Sequence, residues 1–126
     1  MAFASKFADF RRIPIAQTAI SSKMLAVGVD ADPVENYDDD TKVHSERVNE
    51  KGEHQWNLRI FAKPLVGDTE TLADIINVKI WAKTRPVIKE DAPIVFTDFG
   101  MRPWVTFKNG KVNSGLSFSA SGFRQD

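Results

Sequence analysis

Two stretches of the chain alternate apolar and polar positions with a period of two. Within residues 55–63, Trp56, Leu58 and Ile60 fall on one side, and Asn57, Arg59, Phe61 and Lys63 on the other. Within residues 76–83, Ile76, Val78, Ile80 and Ala82 alternate with Asn77, Lys79, Trp81 and Lys83. Successive side chains of a strand point to opposite faces of a sheet, so this period predicts two half-buried strands.

The same reading extends along the chain. Residues 24–29 predict a first strand with Leu25, Val27 and Val29 on one side. Residues 30–40 contain Pro33, Asn36 and six carboxylates and read as an exposed loop, after which residues 41–48 resume a strand. Their carboxylates lack the central Gly and the fixed offsets of an EF-hand loop. Turns follow at residues 50–53 and 64–68, and the second alternating strand spans residues 72–83. Its β-branched and aromatic residues favour strand over helix. Residues 94–97 predict a fourth strand, residues 98–100 a turn and residues 103–107 a short strand. Asn109 and Gly110 mark a hairpin. Residues 115–120 predict the closing strand, with Leu116, Phe118 and Ala120 inward. Before the first strand, Phe3, Phe7 and Phe10 would line one face of a short helix that Pro14 would end.

These elements describe an all-β chain, a five-stranded Greek-key barrel over residues 24–123 with an N-terminal extension over residues 1–23. Its expected core contains Leu25, Val27, Leu58, Ile60, Val78, Ile80, Ile94 or Phe96, and Phe118. At 126 residues the chain fits one domain. It has no cysteine, which excludes disulfides and thiolate metal sites and suits a reducing compartment. No apolar run reaches the roughly 18 residues of a membrane span, and residues 1–12 do not resemble a secretory signal. A soluble, cytoplasmic protein without membrane attachment is expected.

Net charge is zero, but it is unevenly placed. Residues 30–40 hold six anions and no cation, whereas residues 51–126 hold eleven cations against eight anions. Local field rather than net charge governs encounter with a polyanion. An ordinary solvated face has no use for Phe61 and Trp81 beside Arg59, Lys63, Lys79 and Lys83. A single-stranded nucleic acid does, because phosphates need cations and bases need flat apolar surfaces. Arg85, Arg102 and Trp104 extend the candidate surface, while Trp56 shares its side with Leu58 and Ile60 and belongs to the core. The competing reading gives Phe61, Trp81 and Trp104 to a protein interface, where aromatics are enriched.

The run Ile76, Asn77, Val78, Lys79, Ile80, Trp81, Ala82, Lys83, followed by Pro86, residues 93–96 and residues 115–120, resembles the OB-fold single-stranded-DNA-binding proteins of phages and mobile elements. The resemblance covers roughly residues 24–123. It implies an OB-fold-like barrel that binds oligonucleotides over its second and third strands, with a role in protecting single strands during replication or transfer of DNA. Two departures stand out. Residues 84–92 are short and bounded by prolines where many OB-folds place a helix, and residues 122–126 do not resemble the acidic tail through which bacterial single-stranded-DNA-binding proteins recruit partners.

Catalysis finds no support in the sequence. His44 and His54 have no metal-spaced partners, and there is no Gly-rich phosphate loop or nucleophile elbow. The expectation is therefore a non-enzymatic binder without cofactor. Its partner would be single-stranded DNA, or RNA, with self-association left open.

Overall fold

The computed structural model describes residues 12–28, 30–38, 40–70 and 72–125. The expected Phe3, Phe7 and Phe10 helix lies outside the described residues. The chain is all-β. Its strands are β1 (Ile13–Pro14), β2 (Lys23–Ala26), β3 (Asp32–Pro33), β4 (Glu35–Asp38), β5 (Val43–Glu46), β6 (His54–Lys63), β7 (Asp74–Ala82), β8 (Val95–Thr97), β9 (Gly100–Lys108), β10 (Lys111–Ser119) and β11 (Gly122–Arg124). A 3-10 turn at Gln17–Ala19 precedes β2.

One sheet takes the order β1-β9-β10-β7-β6-β2, with β3 also pairing along β6. All of its pairings are antiparallel except β7 with β10, which run parallel and meet only at Val78/Phe118 and Lys79/Ser119. The sheet curls into a half-barrel. Residues 91–94 run antiparallel along the free edge of β2, with Ile94 N–H donating to the Met24 carbonyl at 3.0 Å and Ala26 N–H to the Ala92 carbonyl at 3.2 Å.

The two alternating stretches predicted from sequence pair with each other over nine residues, from His54/Ala82 to Ala62/Asp74. Their even-numbered side chains, Trp56, Leu58, Ile60, Val78 and Ile80, fill the core with Met24, Ala26, Ile88, Ile94, Phe96 and Phe99. Trp56 is the core aromatic its neighbours imply, 7% exposed, and its indole N–H donates to the Ala82 carbonyl at 2.9 Å. Phe99 stacks between Phe96 and Phe118, with ring centroids 5.6 and 5.8 Å away. The Asn109–Gly110 turn has φ of 52° and 73°, the left-handed pair that a two-residue hairpin requires.

Four expectations need correction. In β2 the buried residues are Met24 and Ala26, while Leu25 and Val27 are half-buried. Both parities of that strand are apolar, so alternation could not choose between them. Residues 30–40 are not a plain loop: β3 adds to β6, and β4 pairs with β5 as a hairpin. Carboxylates weigh against strand by propensity, but Glu35 and Glu46 on this outlying hairpin stay exposed. Glu35 meets His44 at 3.3 Å, and on β5 Glu46 meets His54 at 2.8 Å. The expected fourth strand is the short β8, which pairs with β11 rather than with the main sheet. The expected short strand at 103–107 is instead the full-length β9, with Pro103 inside it. That position tolerates proline because, past Met101, β9 has no strand on its outer side among the described residues.

Candidate nucleic-acid interface

Register decides which side chains share the face opposite the core. Across β6 and β7 the pairs on that face are Gln55/Trp81, Asn57/Lys79, Arg59/Asn77 and Phe61/Ile75. The parallel pairing sets Ser119 of β10 beside Lys79, and β9 then adds Arg102 beside Ser117 and Trp104 beside Gly115. Arg59, Phe61, Lys79, Trp81, Arg102 and Trp104 therefore lie on one face of one sheet, although they come from three strands. Lys63 continues the same parity at the end of β6, opposite Lys23.

Two of the predicted residues sit elsewhere. Lys83 follows the end of β7 and lies outside the paired ladder. Arg85 places its guanidinium 5.5 Å from the centroid of the Trp56 ring, a cation–π contact.

Beyond the single paired step at 78–79 and 118–119, β7 and β10 splay apart and leave a cleft of about 560 Å³. Asn57, Ile75, Asn77, Lys79, Trp104 and Ser117 line it, with Ile76, Leu116 and Phe118 contributed from the core-side parity. Gly115 explains the pose of Trp104. A Cβ there would stand 2.7 Å from the indole Cζ2 and 2.9 Å from Cε2, so the ring rests against the bare glycine backbone. Trp104 keeps 42% of its surface exposed in that pose.

The electrostatics of the face are one-sided. The face-directed positions of β6, β7, β9 and β10 carry no carboxylate. Asp32, at the β3 border, reaches Arg59 at 3.7 Å, but both side chains are well exposed and such a pair contributes little. Burial, and secondarily the Arg47 guanidinium, hold the Lys79 ammonium's pKa below its ordinary value. A bound anion would offset both effects.

Sequence reasoning missed several members of this face. Arg47 reaches it from the segment after β5 and donates from Nη1 to Gln55 Oε1 at 3.1 Å. Arg12 lies across Gly100, donates from Nε to Ser119 Oγ at 2.7 Å and bonds the Asp98 carbonyl through Nη2. Neither sits in an alternating strand, so no local pattern marked them. Asn57 and Asn77 fall on the polar side of the alternation, which does not reveal that they meet. They are joined by a hydrogen bond from Asn57 Nδ2 to Asn77 Oδ1 at 3.1 Å.

Among the described residues no group of three or more His, Asp or Glu side chains could hold a metal ion, and no helix is long and apolar enough to cross a membrane. Comparison of the chain with protein-family models, curated proteins and solved structures finds no match in any of the three.

Proposed function

We propose that this protein binds single-stranded DNA, largely independently of sequence, along the face of β6, β7, β10 and β9, and so protects single strands during replication or transfer of DNA. The observation that carries the reading is the register: Phe61, Trp81 and Trp104 share that face with Arg59, Lys79 and Arg102, and none of its strand positions is acidic. Bases stack on the aromatics while the cations follow the phosphates. Lys63 and Arg47 extend the cationic track at its ends.

The strand order supports an OB-type barrel as the scaffold. A meander of β2, β6 and β7 is followed by β9 and β10, and the last long strand returns to lie parallel beside β7. In the order β2-β6-β7-β10-β9 that strand lies between β7 and β9, parallel to the first and antiparallel to the second, and the cation–aromatic face falls on the second and third long strands, where OB-folds bind oligonucleotides.

A second reading makes the face a protein interface. It is favoured by Phe61, which sits between Leu25 and Ile75 in register, an apolar row across three strands. Salt separates the two readings. A labelled oligo-dT is expected to bind at low salt and to weaken steeply as salt rises, quenching tryptophan emission as it stacks. Neither DNA nor RNA single strands altering the spectrum at low salt would assign the aromatics to a protein partner.

A further inference from the structure

The cleft between β7 and β10 has features that a backbone-tracking groove does not need. Asn57 Oδ1 is buried and has no hydrogen-bond partner, while Nδ2 of the same amide is committed to Asn77. A buried acceptor left without a donor is unfavourable, so this atom is prepared for a donor that arrives with a ligand. Its cross-strand neighbours are Asp32 on β3, which is turned to Arg59 at 3.7 Å, and Lys79 on β7, half-buried and without an ion pair to any described carboxylate. Lysine offers three donors and no acceptor, so its ammonium can meet a base edge with one N–H and keep another for a phosphate. One acceptor and one cationic donor thus stand side by side in the lining of the cleft. Trp104, seated on Gly115, and Ile75 supply flat and apolar lining on opposite sides.

A planar heteroaromatic ring suits such a slot. Its edge must donate an N–H to Asn57 and present an acceptor to Lys79. Guanine does this with N1–H and O6, and thymine or uracil with N3–H and an adjoining carbonyl oxygen. Adenine and cytosine carry a bare ring nitrogen where these bases carry the N–H and an amino group where they carry the carbonyl, so the same pose sets acceptor against Asn57 Oδ1 and donor against Lys79. We infer that the cleft seats one nucleobase and prefers those in which an N–H adjoins a carbonyl oxygen, guanine and thymine or uracil, over adenine and cytosine. This rests on the strand-binding reading above and adds a base preference at one position of an otherwise tolerant track.

The test is fluorescence anisotropy of the full chain with four labelled 12-mers at low salt: oligo-dT, oligo-dC, oligo-dA, and oligo-dT methylated at N3 of every base. Oligo-dT is expected to bind about tenfold more tightly than oligo-dC, within the range that a well-made paired contact to a base edge gives. Methylation at N3 keeps the ring and both carbonyls but removes the N–H, and should bring affinity down to the oligo-dC level. Asn57→Leu should remove the oligo-dT advantage in the same way. Equal affinity for oligo-dT, oligo-dC and the methylated strand overturns the base slot and leaves the strand-binding reading standing. Failure of all four to bind overturns both. The methylated strand probes the unaltered protein, so the outcome does not depend on whether Asn57→Leu folds.

Discussion

The β6–β7 hairpin and the β9–β10 hairpin are written in the same alternating pattern and meet opposite fates. On β6 and β7 the even-numbered residues Leu58, Ile60 and Val78 are at most 1% exposed. On β9 and β10 the positions continuing the core side from Met101 and Phe118 are Val105, Phe107, Val112 and Leu116, and they remain exposed, Phe107 at 79%. The difference lies in what stands opposite. The core side of β6 and β7 packs with Met24 and Ala26 of β2 and with Ile94 and Phe96 from the segment beyond it, whereas past Phe118 the β9–β10 ribbon leaves β7 and nothing in the described chain covers its apolar side. Alternation identifies residues that share a face. Whether that face is covered depends on chain segments distant in sequence.

The strongest way to break this comparison is to place the same charge on both hairpins. Ile80→Asp buries an unpaired carboxylate at a site 3% exposed. It is expected to cost several kcal/mol, a large part of a typical domain's stability of about 5–15 kcal/mol. Val112→Asp, at a site 62% exposed, should change stability by no more than about 0.5 kcal/mol. Urea denaturation followed by far-UV circular dichroism measures both. Comparable losses would show that the ribbon's apolar face is covered in solution.

The tryptophans sharpen the contrast at a smaller scale. Trp56→Ala empties a core position and should lose about 3–5 kcal/mol of stability. Trp104 and Trp81 lie on the other face, so Trp104→Ala and Trp81→Ala should each retain the fold. Each should weaken oligo-dT binding by about tenfold, the effect of one lost stacking contact of about 1–3 kcal/mol. If Trp56→Ala instead abolished binding without loss of stability, the two faces of β6 would be exchanged.

Much of the scaffold was legible because its signals are local. The alternation of residues 55–63 and 76–83 located β6 and β7 and separated their faces, and Asn109–Gly110 marked the turn of the β9–β10 hairpin. What escaped depends on partners far away in the chain. Met24 rather than Leu25 is buried because β2 pairs Met24 with Ala62 and Ala26 with Ile60, a register that four apolar residues cannot reveal. Phe99 read as a turn residue, yet the stack of Phe96 and Phe118 on either side makes it core. Of the candidate face, Arg59, Phe61, Lys79 and Trp81 were readable from one hairpin. Arg12 and Arg47 were not, since their places are fixed by Ser119 and Gln55, 107 and 8 residues away in sequence. Gly115 was legible only as a strand residue, since its use depends on Trp104 lying against it across the ladder.

The smallest expected effect, and the most specific to the face, concerns Lys79. A lysine whose pKa is lowered in the folded state binds its proton more weakly there than in the unfolded chain. Stability should therefore carry a penalty that is fully present below the lowered pKa and is relieved as pH rises from there towards the unfolded value. Lys79→Met removes this penalty, so the variant should be slightly more stable than the parent at neutral pH and should lose part of the parent's gain on the alkaline side. Thermal melts between pH 7 and the alkaline range, at about one-unit steps, report that difference. Binding should change in the opposite sense. A phosphate at Lys79 offsets the desolvation and the Arg47 repulsion together, so the same substitution should weaken oligo-dT binding and lower the magnitude of the slope of log K against log salt by about 0.7, one phosphate's share for a single strand. A variant that gains stability while losing salt dependence fits a cation held for an anionic ligand. An unchanged salt slope would remove Lys79 from the phosphate track and leave its burial as a feature of packing alone.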